Sequence, residues 1–356
     1  MVIRRASEPL AAAGSTDGAA PGTPGGDRPG RSRASAVAAV GTDLHARPDA
    51  SASAARGRRD TAAAVGGRGG GPVAAAAAGQ VGADGGQRRP SAVPGSGWPG
   101  DPADAGTPVA TDPTAVRELA RVSTLGELDA RVSVCRACPR LVAWREEVAL
   151  TRRAAFAAEP YWGRPAPGFG PADARIAVVG LAPAAHGANR TGRVFTGDRS
   201  GDWLYAAMFR AGLANQPTSV HAGDGLELRG VRVVAAVRCA PPANKPTPVE
   251  RDTCRPWLVR ELQLLRPTLR AIVVLGAFGW QSLWPALQAA GLADVPTPRP
   301  TFAHGAEVQV NGLTVLGCYH VSQQNTFTGK LTEAMLDAVL DRARVVAESG
   351  STAVGR

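Results

Sequence analysis

The stretch RIAVVGLAP, residues 175–183, has no polar side chain from Ile176 to Pro183. It neither alternates nor recurs at helical spacing, and it is rich in β-branched residues. Such a run reads as a strand buried on both faces, here ending at Gly180. Three more runs share its character: VRVVAAVRCAP (231–241), AIVVLGA (271–277) and VNGLTVLGCYH (310–320). Between and after them lie amphipathic segments, DWLYAAMFRAGL (202–213), VERDTCRPWLVRELQLLRP (249–267), GWQSLWPALQAAGL (279–292) and LTEAMLDAVLDRARVVAES (331–349). Buried strands alternating with helices predict a three-layer α/β/α domain around a central four-stranded parallel sheet. A further helical stretch, with one break, is expected over about 115–141. The folded domain is placed at residues 113–348, with a flexible tail at 349–356.

Ahead of this domain, residues 1–112 are mostly Ala, Gly, Pro, Ser and Arg, as in RGRRDTAAAVGGRGGGP. With almost no large apolar residue, such a segment cannot bury enough surface to offset its ordering entropy, so a disordered extension is expected. The segment AAAGSTDGAAPG near the start is too small and glycine-broken for the apolar core of a secretory leader, which needs roughly 7–15 residues. No run reaches the about 18 apolar residues of a membrane helix. A cytoplasmic protein with no membrane partner is expected. The chain carries a formal net charge of +10, and from residue 113 onward it holds 28 basic and 20 acidic residues. That balance favours a polyanionic partner.

In α/β sheets of this kind, ligands bind at the carboxyl ends of the strands. Three polar, glycine-containing loops fall there: GLAPAAHGANRTGRVFTGDRSG (180–201), RCAPPANKPTP (238–248) and HVSQQNTFTGKLT (320–332). The third strand's loop, GAFGW, is short and apolar and is expected to form a wall. The first loop matches neither the P-loop nor the dinucleotide pattern, so no nucleotide cofactor is expected. His186, Asn189, Arg190, Arg193, Phe195 and Asp198 are its candidate functional residues, joined by Asn244 and Lys245 from the second loop and His320 and Asn325 from the third.

Of the chain's 5 cysteines, Cys135 and Cys138 form C-x-x-C, while Cys239 and Cys254 flank the second loop. Without a leader, disulfides are a poor explanation. A four-thiolate metal site is better, and the spacing accommodates either zinc or an iron–sulfur cluster. Cys318, inside a strand, reads as core.

Taken together, the three loop motifs resemble those of family 5 (type b) uracil-DNA glycosylases, over roughly residues 132–345. The resemblance implies a uracil-DNA glycosylase-like fold and a monofunctional enzyme that flips a deaminated base out of DNA and hydrolyses its N-glycosidic bond. Uracil, hypoxanthine and xanthine are the implied bases, damaged DNA the partner, and a monomer the expected state; a fold-mate that binds without cleaving is the alternative. Cys135, Cys138, Cys239 and Cys254 resemble the ligands of the family's structural [4Fe–4S] cluster. His320 resembles the histidine that stabilises the departing base. Asp198 resembles the acid assigned to the attacking water, a role that competes with capping the next helix. Phe195 would stack on the base, with Ala182, His186, Asn189 and Asn244 shaping its pocket. Arg190, Arg193, Lys245, Gln323, Gln324 and Asn325 would contact DNA. Where related enzymes have proline after the motif histidine, this chain has Val321, implying a looser loop.

Overall fold

The computed structural model describes residues 91–349. Three helices come first: α1 (Pro113–Leu119), α2 (Leu125–Ser133) and α3 (Pro139–Thr151). Strand β1 (Ile176–Gly180) leads through the short α4 (Ala188–Thr191) to α5 (Arg199–Arg210). Then β2 (Val231–Ala235) precedes α6 (Pro248–Leu265), and β3 (Ala271–Leu275) runs directly into α7 (Gly276–Ala289). Last come β4 (Glu307–Val310), β5 (Leu313–Cys318), α8 (Gln323–Phe327) and α9 (Glu333–Ser349).

The sheet has the order β2-β1-β3-β5-β4. β1 pairs in parallel with β2 and β3, with Val178 opposite both Val233 and Val273, and β3 pairs in parallel with β5. Alternate strand residues serve two cores. Ala177, Val179, Ile272, Val274 and Val315 pack with Trp257, Leu262, Leu283 and Trp284 of α6 and α7, and with Val116 and Leu128 of α1 and α2. Ile176, Val178, Val233, Val273 and Leu316 pack with Leu204, Met208, Leu336 and Leu340 of α5 and α9. This is the three-layer arrangement anticipated from the continuous apolar strands.

The four-stranded count is corrected to five among the described residues. The run 310–320 is not one strand: Val310 ends β4, and Asn311 and Gly312, with φ of 45° and 77°, turn the chain back into β5. Two consecutive left-handed residues are what a tight hairpin needs, and Asn-Gly supplies them. β4 lies antiparallel at the sheet edge with Glu307 and Gln309 exposed, so it lacks the apolar signature of its neighbours.

A second correction concerns residues 91–112, assigned with the disordered extension; residues 1–90 and 350–356 lie outside the described residues. Trp98 stacks against Trp162 with ring centroids 5.7 Å apart, and its indole N–H donates to the Thr191 carbonyl at 3.2 Å. Asp101 accepts both Nη1 and Nη2 of the buried Arg164, at 2.8 and 2.9 Å. Arg164 also donates to the Ser133 carbonyl and hydroxyl. A few anchors of this kind hold a glycine- and proline-rich strap that composition alone marks as unfolded.

Candidate active site

Two sizeable hollows compete for attention. The larger, about 960 Å³, lies between α1 and α6 and is lined by Arg117, Arg121, Asp252, Arg255 and Arg260. The other, about 620 Å³, opens at the carboxyl ends of the strands and gathers residues from all three polar loops. Its walls include Leu181, Ala182 and Pro183 from the first loop, Asn244 from the second, and His320, Gln323 and Gln324 from the third. Phe195, Asp198 and Arg199 complete it. Where two hollows differ so, titratable groups and an aromatic face in one of them decide.

Local backbone places each group. Phe195 takes a φ of 51°, and its ring lies over Gly180 at the end of β1, where a Cβ would strike it. The ring stands 6.1 Å from that of His320, tilted by 38°. Asp198 precedes α5 and caps it, its Oδ1 accepting from the Gly201 amide at 3.0 Å. Its Oδ2 is turned toward Gly187 of the first loop, where a Cβ would collide with it. The competing readings of Asp198 are therefore compatible: one oxygen caps, while the residue also lines the cavity. Burial pushes its carboxyl above the ordinary range, against the pull of the Gly201 and Ser200 amides.

His320 follows β5. Burial holds its pKa down to about 4, so the imidazole is neutral near physiological pH and carries one N–H to donate. Its carbonyl accepts from Asn325 Nδ2 at 2.8 Å, which closes the loop onto the histidine. Asn325 thus braces the histidine's loop. Val321 is buried in the core under α5 and α9, so the loop is anchored there rather than loosened. Ala243 and Asn244 take consecutive positive φ values of 52° and 55°, a strained turn of the sort that persists at binding sites.

Several expected residues stand elsewhere. Arg190 is buried, paired with Glu159, and donates to the carbonyls of His186 at 2.9 Å and Gly197 at 2.8 Å. Arg193 is buried too, forked onto Asp224 at 2.9 and 2.7 Å, with its Nε on Thr196 Oγ1. Both guanidiniums are consumed in shaping the first loop and are withdrawn as DNA contacts. His186 meets the Tyr161 hydroxyl through Nδ1 at 3.0 Å, and Asn189 is fully buried, donating to the Arg145 and Ala185 carbonyls at 3.1 and 3.4 Å. They support the cavity wall from behind. Lys245 is exposed beside Asn244. Sequence reasoning overlooked Arg199, an exposed residue on the cavity rim whose guanidinium lies 4.9 Å from the ring of exposed Phe327. Its position one residue after the capping aspartate was the available signal.

Cys318 is buried in the core. Cys135, Cys138, Cys239 and Cys254 line one small closed space with Leu141, Arg238 and Trp257. Burial, joined by the nearby Cys239, raises the thiol of Cys135 to about 11 and that of Cys138 to about 12. Among the described residues, no three His, Cys, Asp or Glu side chains are closed up around a single ion position. The surroundings nonetheless suit a buried anionic centre: Arg145 Nε, Arg238 Nε and Nη1 and Trp257 Nε1 are buried donors with no acceptor in the protein. Four thiols ringed by unspent donors match a thiolate-bound group.

The structure is an α/β fold with a cavity at the carboxyl ends of its parallel strands. The family follows from comparison: residues 167–344 match the uracil DNA glycosylase superfamily. A type-5 uracil-DNA glycosylase of Mycobacterium bovis is 58% identical over 261 residues, covering 73% of this chain and 96% of that protein. Type-5 enzymes of Thermus thermophilus and Pyrobaculum aerophilum are 52% and 45% identical, over 61% and 64% of this chain and 95% and 96% of theirs. The chain belongs to the uracil DNA glycosylase superfamily.

Proposed function

We propose that this protein is a monofunctional glycosylase of type-5 character. It hydrolyses the N-glycosidic bond of uracil, and of hypoxanthine and xanthine, in DNA, leaving an abasic site. The observation that carries this reading is the convergence of Phe195, Asp198 and His320 on one cavity.

A base must leave the stack to reach such a site, at a cost of a few kcal/mol that is least when it is mispaired. The Phe195 ring offers it a face. As the bond between C1′ and the base nitrogen lengthens, its electron pair moves onto the base. The neutral His320 N–H is suited to hold the developing oxyanion, a fixed donor acting where charge appears. Water completes the sugar at C1′, and the Asp198 carboxylate is placed to orient it and accept its proton. Asn244 contacts the base or the water. Only Lys245 and Lys330 could form a Schiff base, and neither lines the cavity, which supports hydrolysis without a lyase step. Arg199, Gln323 and Gln324 at the rim, with the exposed Lys245, meet the DNA strand.

Cys135, Cys138, Cys239 and Cys254 hold a [4Fe–4S] cluster rather than zinc; when bound, it cross-links the α2–α3 turn to the second loop. The catalytic unit, residues 113–348 with its strap, works as a cytoplasmic monomer.

The test uses end-labelled duplexes with U·G, hypoxanthine·T or no lesion, treated with protein and then hot alkali. Breaks at the lesion appearing only after alkali support the reading. Binding without breaks, by protein whose thiol-bound metal is intact, would replace it with a non-cleaving DNA binder.

A further inference from the structure

Arg145 lies at the middle of α3, fully buried, between the four thiols and the first loop. Its Nη1 donates to Cys239 Sγ at 2.9 Å and to the Cys135 carbonyl at 3.1 Å. Its own carbonyl accepts from Asn189 Nδ2 at 3.1 Å. Asn189 in turn grips the cavity wall: its amide donates to the Ala184 carbonyl at 3.1 Å, its side chain also reaches the Ala185 carbonyl, and Ala184 lines the cavity. The helix itself starts at Pro139, immediately after Cys138. One residue thus touches the thiol centre through its side chain and the catalytic loop through its main chain.

From this we infer that Arg145 is a positioning residue that couples the thiol-bound centre to the base cavity. The inference rests on the reading of the four cysteines as metal ligands. A guanidinium donating to a thiolate sulfur lowers the charge on that ligand and fixes its orientation. Without the thiolate, the same guanidinium is a buried cation with no carboxylate beside it, and α3 has lost what registers it. Asn189 then no longer holds Ala184 and Ala185 at the cavity. The centre bears on catalysis through geometry, with no electron transferred.

Three substitutions separate the links. Arg145→Met removes the donor at similar length, Arg145→Lys keeps a charged N–H, and Asn189→Ala cuts the chain beyond Arg145. Each protein is purified with its metal. Metal release to a chelator is followed by metal analysis and by the visible band near roughly 400 nm that marks a thiolate-bound cluster. Arg145→Met is expected to release metal about 10- to 100-fold faster than the wild type, the usual effect of losing a partner that orients a ligand. Arg145→Lys should recover part of this. Asn189→Ala should release at the wild-type rate while kcat falls and KM holds. Release from Arg145→Met and Arg145→Lys at the wild-type rate would overturn the coupling, as would an unchanged kcat in Asn189→Ala. Zinc in place of iron in the wild type would sink the cluster assignment alone, since the release rates test Arg145 with either metal. A wild type with no thiol-bound metal would overturn both.

Discussion

Asp198 and Gly187 are in van der Waals register: the space a Cβ would fill at Gly187 is occupied by the aspartate's Oδ2. The position needs glycine for room, since a Cβ there would overlap that oxygen. Gly187→Ala should therefore displace the carboxylate. We expect kcat to fall about 10²-fold, as misplacement of a catalytic group by about 1 Å can do, with a smaller drop in melting temperature because the same carboxylate caps α5. Steady-state kinetics beside thermal melting checks this.

Phe195 depends on Gly180 for its place, and in the proposed function its ring stacks on the base. Base–aromatic stacking is worth about 1–3 kcal/mol, so Phe195→Ala should lower kcat/KM on a uracil duplex roughly 5- to 150-fold. Gly180→Ala, which pushes the ring aside, should lower it in the same direction. A kcat/KM unchanged in both variants would remove the stacking role.

The pH behaviour of His320 has a definite sign. Its pKa falls from 6.5 to about 4 on folding, so over that window the unfolded chain binds the proton and the folded protein does not. Stability is then lost as pH falls from about 6.5 through 4, by about 3 kcal/mol from this residue. His320→Asn should flatten that part of the stability curve in melts at stepped pH. The acid limb of kcat should not follow a group near 6.5. We expect it to follow the Asp198 carboxyl, raised by burial, with activity lost as that group is protonated on lowering the pH.

Arg193 and Arg199 offer a contrast between a structural and a rim arginine. Arg193→Ala strands Asp224, a carboxyl that the Arg193 guanidinium and local amides, working against burial, hold at about 2. Removing one partner of a buried pair should cost about 3–5 kcal/mol in denaturant melts and leave the salt dependence of DNA binding unchanged. Arg199→Ala should cost little stability and reduce the slope of log affinity against log salt by about 1.

The parallel strands were legible because a strand buried on both faces must be apolar throughout, as Ile176–Val179 and Ala271–Leu275 are. Edge strand β4 escaped because it alternates, and the Asn311–Gly312 turn passed as part of a longer run. At the site, the loops that follow the strands carried Phe195, Asp198 and His320 into one cavity, and the order of strands and loops could be read from the chain. It did not reveal that Arg190, Arg193 and Asn325 already hold partners inside the protein. A sequence shows what a side chain can donate but not what already accepts from it, and the partner of Arg193 lies 31 residues away. Arg145 was hidden for the same reason, an arginine in a helix whose acceptor is a cysteine 94 residues on.

The ion pair of Asp101 with Arg164 separates two boundaries that are easily taken for one. A chain begun at Pro113 would retain every cavity residue and all five cysteines. It would also retain Arg164, buried and now without its counter-charge, at a cost of about 3–5 kcal/mol. That is a large share of the roughly 5–15 kcal/mol by which a domain exceeds its unfolded state. The shortest segment able to do the chemistry is therefore not the shortest able to survive warming. Trimming toward the motifs should yield protein that is active when cold and lost at temperatures the longer chain withstands.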